Sequence, residues 1–313
     1  MKKDDKIYVA GHLGMVGSAI CRQLKKRSFS NLITRSHSEL DLTIYSQVEE
    51  FFTMEKPKFV FLAAAKVGGI HSNQAYPADY ILENLKIQTN VIEVAWKSGV
   101  KGLQFLGSAC IYPRLAPQPI KEPLLLTGPL EPTNEMYAIA KIVGLKLCEA
   151  LQKQYGFNAT SIMPTNLYGP GDNFNLTTSH VLPALIKKFH DAKSSGAKKV
   201  EVWGSGKALR EFLHVDDMAS AAIFLMSNYR EQEFINVGSG EEISIKVLAE
   251  KVCSIVGFQG KIVFNNSMPD GMPRKLLDSS RLRNMGWTPS ISLSDGLEST
   301  YRWFIENLEC VRK

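Results

Sequence analysis

The sequence predicts an α/β protein: a doubly wound parallel sheet of the Rossmann type, with a smaller, mostly C-terminal α/β region beside it. Three observations carry that expectation. Short apolar runs alternate with helical stretches through the first two-thirds of the chain, the pattern of a parallel sheet covered by helices. Three glycines, Gly11, Gly14 and Gly17, stand between the first apolar run and the first apolar helix. Further on, Tyr137 and Lys141 lie four apart in a helical stretch, which puts both on one helix face.

Taken in order, the predicted strands are 6–10, 31–34, 59–62, 102–106 and 158–163, and the helices between them fall near 16–26, 46–55, 79–98 and 137–155. A ligand is expected beyond the carboxyl ends of such strands. After Pro164 the rhythm becomes irregular, and the turn-rich stretches 168–178 and 267–274 suggest loops that close over a ligand. The expected division is a cofactor-binding domain over 1–172 plus about 211–240, and a substrate domain over 173–210 plus about 241–313.

Bulk properties narrow the function classes. With 313 residues, 44% hydrophobic and 22% charged, the chain has the makings of a sizeable core and not those of a disordered segment. Its net charge of +6 is spread along the chain without a long basic run, so no nucleic-acid partner is expected. No apolar run approaches the roughly 20 residues of a membrane helix, and a mixed-charge N-terminus leads straight into a strand. A cytoplasmic protein is expected. Five cysteines without compact spacing read as reduced thiols, with no metal site.

The glycine turn is suited to a dinucleotide. Glycine permits the tight turn and lets the backbone approach a pyrophosphate resting on the positive end of the next helix. The second strand ends in Thr34-Arg35-Ser36. An enzyme using NAD would place a carboxylate there to bond the ribose 2′-hydroxyl. Arg35 instead offers a guanidinium to a 2′-phosphate, so NADP(H) is the expected cofactor. Asp41 is a candidate for the adenine end, or a cap for the following helix.

The chemistry-bearing residues lie further along. The fourth strand leads into Gly107-Ser108-Ala109-Cys110-Ile111-Tyr112-Pro113. Ser108 can hold a carbonyl oxygen while Tyr137 supplies or removes its proton, with the Lys141 ammonium beside the phenol to lower its pKa and favour the phenolate. That assembly suits hydride transfer between a nicotinamide and a ketone or alcohol. Cys110 stands two residues past Ser108, and an extended segment there would aim both side chains the same way. Taken alone it is equally a packed core thiol, and His180 equally a helix cap.

On these segments the chain resembles an extended short-chain dehydrogenase/reductase and, within that group, the GDP-L-fucose synthases almost from end to end. The carrying stretches include Gly11 to Ile20, Ala63 to Ile70, Gly107 to Pro113, Glu131 to Glu135, Met163 to Pro170, Ser179-His180-Val181, Val202 to Gly206, Arg210 to Asp217 and Pro269 to Lys275. The resemblance implies epimerisation at carbons 3 and 5 of a GDP-linked 4-keto-6-deoxy sugar, then reduction at carbon 4. It implies Cys110 as base, His180 as acid, and Ser108, Tyr137 and Lys141 as the reductive group. The implied cofactor contacts are Gly11, Gly14, Met15, Val16, Gly17, Arg35, Asp41, Leu106, Ser108, Tyr137, Lys141, Pro164, Asn166, Leu167 and His180. Lys188, Trp203, Arg210 and Asp270 are the implied contacts to the GDP-sugar, and a homodimer is implied through the two long helices that follow the third and fourth strands.

Two positions depart from the family pattern. Leu13 stands where members often carry arginine, which leaves the 2′-phosphate to Arg35, and Ala109 replaces a usual second serine. The alternatives are a 4-reductase or single-site epimerase of a related GDP-linked deoxysugar or heptose, an enzyme that cycles a retained cofactor, and a sensor that binds NADP without turnover. Cycling enzymes usually carry an acid after the second strand, and sensors commonly lose the Tyr or Lys retained here.

Overall fold

The computed structural model describes residues 1–268, 271–309 and 311. Its elements run β1 (Ile7–Ala10), α1 (Met15–Lys26), β2 (Leu32–Ile33), α2 (Tyr45–Glu55), β3 (Phe59–Leu62), α3 (Ile70–Ala75), α4 (Pro77–Lys97), β4 (Gly102–Leu106), α5 (Glu135–Tyr155), β5 (Ala159–Pro164) and β6 (Asn166–Tyr168). They continue with α6 (Val181–Ser194), β7 (Lys199–Trp203), β8 (Leu209–His214), α7 (Val215–Asn228), β9 (Ile235–Val237), β10 (Glu242–Ser244), α8 (Ile245–Val256), β11 (Lys261–Asn265), β12 (Arg274–Lys275), α9 (Ser280–Asn284) and α10 (Leu293–Glu306).

Six strands form one parallel sheet in the order β2-β1-β3-β4-β5-β9. The order reverses between β1 and β3, so the crevice for a ligand opens above their carboxyl ends. Each central strand is buried on both faces, and successive residues serve opposite cores. Tyr8 and Ala10 join Val60, Leu62, Leu103 and Phe105 under α2, α4 and α5. Ile7 and Val9 join Phe61, Ile20, Met218 and Leu225 under α1 and α7. The predicted strands and helices of this half fall where expected, to within two residues at each end.

The irregularity expected after Pro164 is corrected. That stretch carries seven strands and five helices among the described residues. Its strands are short and pair non-locally, β6 and β12 parallel to β8, β10 antiparallel to β8, and β7 parallel to β11. β7 is half-exposed in strict alternation, so no continuous apolar run marks it. A third apolar cluster, with Phe174, Leu185, Phe189, Phe212, Leu248 and Phe304, holds α6, α8 and α10 together.

One buried carboxylate ties this part to the site. Glu211 in β8 is fully buried. It accepts from Gly240 N at 2.7 Å and Leu277 N at 3.0 Å, and burial pushes its pKa up. Those two bonds clamp β8 to the turn between β9 and β10 and to the chain just beyond β12.

Candidate active site

A cleft of about 750 Å³ runs over the carboxyl ends of β1, β3 and β4. At one end the Gly11 to Gly17 turn feeds α1. Gly11 has a φ of +82°, and a Cβ there would lie 2.7 Å from the backbone nitrogen of Ala64. A Cβ on Gly17 would stand 2.1 Å from the carbonyl oxygen of Gly11. Only glycine lets the turn pack so tightly against both the helix and the next strand. Gly14 caps α1 without any side-chain bond to its first turn, leaving those N–H groups for an anion. The turn therefore fits a dinucleotide pyrophosphate.

Arg35 lies on the cleft wall with Ser36, His37, Asp41 and Thr43. Its guanidinium is already oriented: one nitrogen donates to the Thr34 carbonyl at 2.8 Å and another to Glu55 at 2.5 Å, over the Phe51 ring at 5.5 Å. The Asp41 carboxylate accepts from Thr43 N and Thr43 Oγ1 at 2.9 and 2.7 Å, and these bonds hold its pKa below the usual range. It shapes the turn ahead of α2 while facing the cleft. Leu13 is 69% exposed at the mouth and donates nothing to a phosphate.

The chemical centre lies at the end of β4. Burial of Lys141 brings its ammonium to donate to the Leu106 carbonyl at 2.8 Å, 4.8 Å from the Phe105 ring centre and 5.8 Å from that of Tyr137. Desolvation pulls its pKa down to about 8. Tyr80 packs edge-on against Tyr137 at 6.3 Å, and Ser108 lines the cleft beside that phenol. The protein groups around the phenol work against the expected lowering of its pKa. Burial drives the Tyr137 pKa well above its ordinary value, the Cys110 side chain adds to that, and Ser108 only partly offsets it. The phenol is a stored proton.

Cys110 is placed differently from the expectation as well. Residues Ala109–Ile111 form a 3₁₀ turn, not an extended segment. Ser108 accepts from the Cys110 backbone N–H at 3.4 Å. The cysteine still lines the cleft, now because the turn folds back over Ser108. Its thiol is buried, which pushes the pKa up against the opposing influence of Lys275, Ser108 and Lys141.

His180 sits at the N-cap of α6 but makes no side-chain capping bond, so the ring is left to the cleft. The residue is exposed on the cleft wall, where crowding by its neighbours and the nearby Lys275 pull its pKa down. The 66–70 loop holds this region in place. Gly69 N donates to Thr178 O at 2.8 Å, and Asn84 in α4 pins Lys66 by two backbone bonds of 3.0 and 2.9 Å.

Ser108, Cys110, Tyr137, Lys141, His180, Met15, Val16, Leu106, Pro164, Asn166 and Leu167 thus meet on one cleft. Asn166 contributes less freely than expected, because its amide donates to the Glu211 carbonyl at 2.8 Å. Lys188 and Trp203 form a pair of their own, the ammonium 5.2 Å from the ring, with Lys188 donating to Glu201 O at 3.1 Å. Arg210 stands in β8 directly beside Lys275 of β12. Asp270 lies outside the described residues.

The NAD dependent epimerase/dehydratase family model matches residues 7–238. GDP-L-fucose synthase 1 of Arabidopsis thaliana is 59% identical over 306 residues, covering 98% of this chain and 95% of that protein. The chain belongs to the GDP-L-fucose synthase family. Two solved structures extend the likeness. A GDP-L-fucose synthetase from Naegleria fowleri bound to NADP is 30% identical with a TM-score of 0.92, over 100% of this chain and 98% of that one. A GDP-mannoheptose C4 reductase from Campylobacter jejuni with NADP bound is 42% identical with a TM-score of 0.90, over 97% and 99%.

As a GDP-L-fucose synthase family member, the chain is an oxidoreductase with NADP(H) as its cofactor. The residues present fit that group: the glycine turn leaves room for a pyrophosphate, and Arg35 puts a cation on the cleft wall. Three further cleft residues escaped the sequence reading. Asn134 Oδ1 and Ser179 Oγ are buried without a hydrogen-bond partner and line the cleft on either side of the reactive groups. Lys275 lines it too. Each sits inside a family stretch already singled out, but nothing in its spacing marked a role. No helix among the described residues is long and apolar enough to cross a membrane.

Proposed function

We propose that the protein converts GDP-4-keto-6-deoxy-D-mannose to GDP-L-fucose with NADPH, by two epimerisations and one reduction in a single site. The observation that carries this reading is that Cys110 and His180 line the same cleft as Ser108, Tyr137 and Lys141. A plain reductase needs only the last three.

The ketone at carbon 4 acidifies the C–H bonds at carbons 3 and 5, because the resulting carbanion delocalises onto its oxygen. Ser108 and the Tyr137 phenol donate to that oxygen and stabilise the enolate. Cys110 takes each proton from one face and His180 returns one on the other, which inverts the centre. The negative diphosphate, held by Arg210 and Lys188, favours the protonated imidazole against the desolvation that lowers its pKa. Bound NADPH supplies hydride to carbon 4. Tyr137 then gives its stored proton to the new alkoxide, and Lys141, anchored on Leu106, offsets the charge left on the phenol. Trp203, backed by Lys188, provides a flat face for the nucleotide end, and Asp270 joins that set. The substrate side comprises 173–210 with about 241–313, and the cofactor side 1–172 with about 211–240.

Arg35 is the 2′-phosphate contact in this reading. Arg35→Ala is expected to raise the KM for NADPH by about tenfold or more, as loss of a charge-assisted bond implies, while leaving that for NADH nearly unchanged. Steady-state kinetics with both cofactors checks it, and equal effects would assign Arg35 to structure through Glu55. Leu82 in α4 and Val143 in α5 are exposed on the two long helices, which supports a homodimer through that face. Light scattering should give twice the 34.9 kDa chain mass, and Val143→Glu should return it to a single mass.

The heptose C4 reductase likeness makes 4-reduction of a GDP-heptose the second reading. Turnover of the keto-deoxymannose substrate in deuterated water, with NMR of the product, separates the two.

A further inference from the structure

Next to the turn that carries Cys110 lies a buried polar knot that the reaction described so far does not use. Asn236 in β9 is fully buried, and so are Tyr112 and Ile120 beside it. The Asn236 side-chain oxygen accepts from the Tyr112 phenol at 2.5 Å. Its amide nitrogen donates to the Ile120 carbonyl at 2.9 Å and to the Asp278 carbonyl at 3.2 Å. Those two carbonyls fix which end of the amide faces the phenol. The Asn236 backbone N–H adds a bond to Glu122 Oε1 at 3.1 Å. One residue thus joins β9 to the 112–122 segment and to the chain beyond β12.

The sheet holds Asn236 firmly. It stands opposite Met163 in the parallel pairing of β9 with β5, and Thr165 N donates to the adjoining Val237 carbonyl at 3.0 Å. Ile120 is fixed as well, its N–H donating to Leu276 O and its carbonyl accepting from Asp278 N, each at 2.8 Å. The Cys110 turn is less secure. The 3₁₀ turn Ala109–Ile111 closes with Ile111 N to Ser108 O at 3.2 Å and Cys110 N to Ser108 Oγ at 3.4 Å. Both are longer than a typical N–H···O bond, so the turn depends on what holds its ends. Upstream that is β4, where Gly107 N donates to Ile162 O at 2.9 Å. Downstream it is Tyr112, the first residue past the turn, whose ring also lies 6.2 Å from that of Phe234. Cys110 and Ser108 are among the described residues lining the cleft, and Tyr112 and Asn236 are not. Their reach to the chemistry is through the turn.

We infer that Asn236 is a positioning residue for epimerisation: by holding the Tyr112 phenol, it anchors the far end of the turn that presents Cys110 to the cleft. Its part in epimerisation rests on the assignment of Cys110 as the base. The place requires one acceptor and two donors. Aspartate would lose both donors and set a second carboxylate by Glu122, and leucine would fill the space and bond nothing. The reductive group is held independently. Ser108 follows directly on β4, Lys141 is anchored on the Leu106 carbonyl at 2.8 Å, and Tyr137 belongs to α5. Loosening the Tyr112 end should displace the thiol and spare hydride delivery.

The test compares the parent with Tyr112→Phe, which deletes one oxygen, and with Asn236→Leu, all loaded with NADP⁺. Alkylation by iodoacetamide is followed by peptide mass spectrometry at Cys110 and, as an internal standard, at Cys148, a buried thiol of α5. Each variant is expected to react faster at Cys110 by about tenfold, the effect of one lost buried hydrogen bond on local opening, with Cys148 unchanged. The double variant should match Asn236→Leu alone, because both substitutions cut one link. Equal acceleration at both cysteines, or none at Cys110, overturns the inference. If Asn236→Leu does not fold, Tyr112→Phe alone decides. In Tyr112→Phe, deuterium exchange at carbons 3 and 5 should fall by about tenfold or more, the cost of a misplaced reacting group, while reduction of a ketone already epimerised keeps about half the parent's rate or better. An equal loss in both reactions overturns the role in epimerisation. So does exchange that is unchanged in Tyr112→Phe yet lost in Cys110→Ser. Exchange unchanged in both variants overturns the base assignment instead.

Discussion

Replacing Tyr137 by phenylalanine is expected to lower NADPH-dependent reduction by about 100- to 10,000-fold, the range for loss of a positioned general acid. The substitution removes one oxygen and keeps the ring that packs against Tyr80, so the fold and cofactor affinity should change little. Burial keeps the Tyr137 phenol protonated, which is the form needed to quench an alkoxide. Ser108, which accepts from the Cys110 backbone N–H, is a weaker acid than a phenol and a poorer proton source. Stopped-flow loss of NADPH absorbance measures the step, and a near-normal rate in Tyr137→Phe would remove Tyr137 from the chemistry. A pH dependence accompanies it. The Lys141 ammonium, with a pKa of about 8, is lost as the pH rises through that value, so reduction should slow on the alkaline side. A flat profile there would mean the ammonium does not support the phenol.

The second large effect is Cys110→Ser. Exchange of the protons at carbons 3 and 5 should fall by about 100-fold or more, because a serine hydroxyl is a far poorer base than a thiolate. Reduction of a ketone already epimerised at both carbons should proceed at a rate close to the parent's. The split between the two activities is the informative part. Cys110 sits in a 3₁₀ turn whose cap is Ser108, and a purely structural role would depress both reactions together through Ser108. Full-rate exchange by the variant would show that another group takes the protons.

How much of this was legible in the sequence differs by region. The central strands announce themselves because both faces are buried: Phe59–Leu62 is apolar throughout, and Gly102–Leu106 lies wholly in the core. The glycine turn is legible for a steric reason, since a Cβ at Gly11 or Gly17 would strike the neighbouring backbone. The Tyr137–Lys141 pair follows from helical spacing alone. Three-dimensional pairing is where that legibility ends. β8 gathers β6, β10 and β12 from distant parts of the chain, and no local pattern foretells that Lys275 would come to rest beside Arg210. The surroundings of Tyr137 were hidden for a related reason. Spacing brings an ammonium near a phenol, but the depth of burial decides which form of the phenol persists, and burial belongs to the packed fold. The same holds for Cys110, whose backbone folds into a turn that its short apolar sequence does not specify.

The central claim is that one cleft performs proton removal at two carbons and hydride delivery at a third. The most direct test is turnover of GDP-4-keto-6-deoxy-D-mannose with NADPH in deuterated water, with the product examined by NMR. The expected result is GDP-L-fucose carrying deuterium at carbons 3 and 5, with one NADPH oxidised per product. Oxidation of NADPH with no deuterium at those carbons would contradict the claim and leave a 4-reductase, with Cys110 and His180 reduced to parts of the wall.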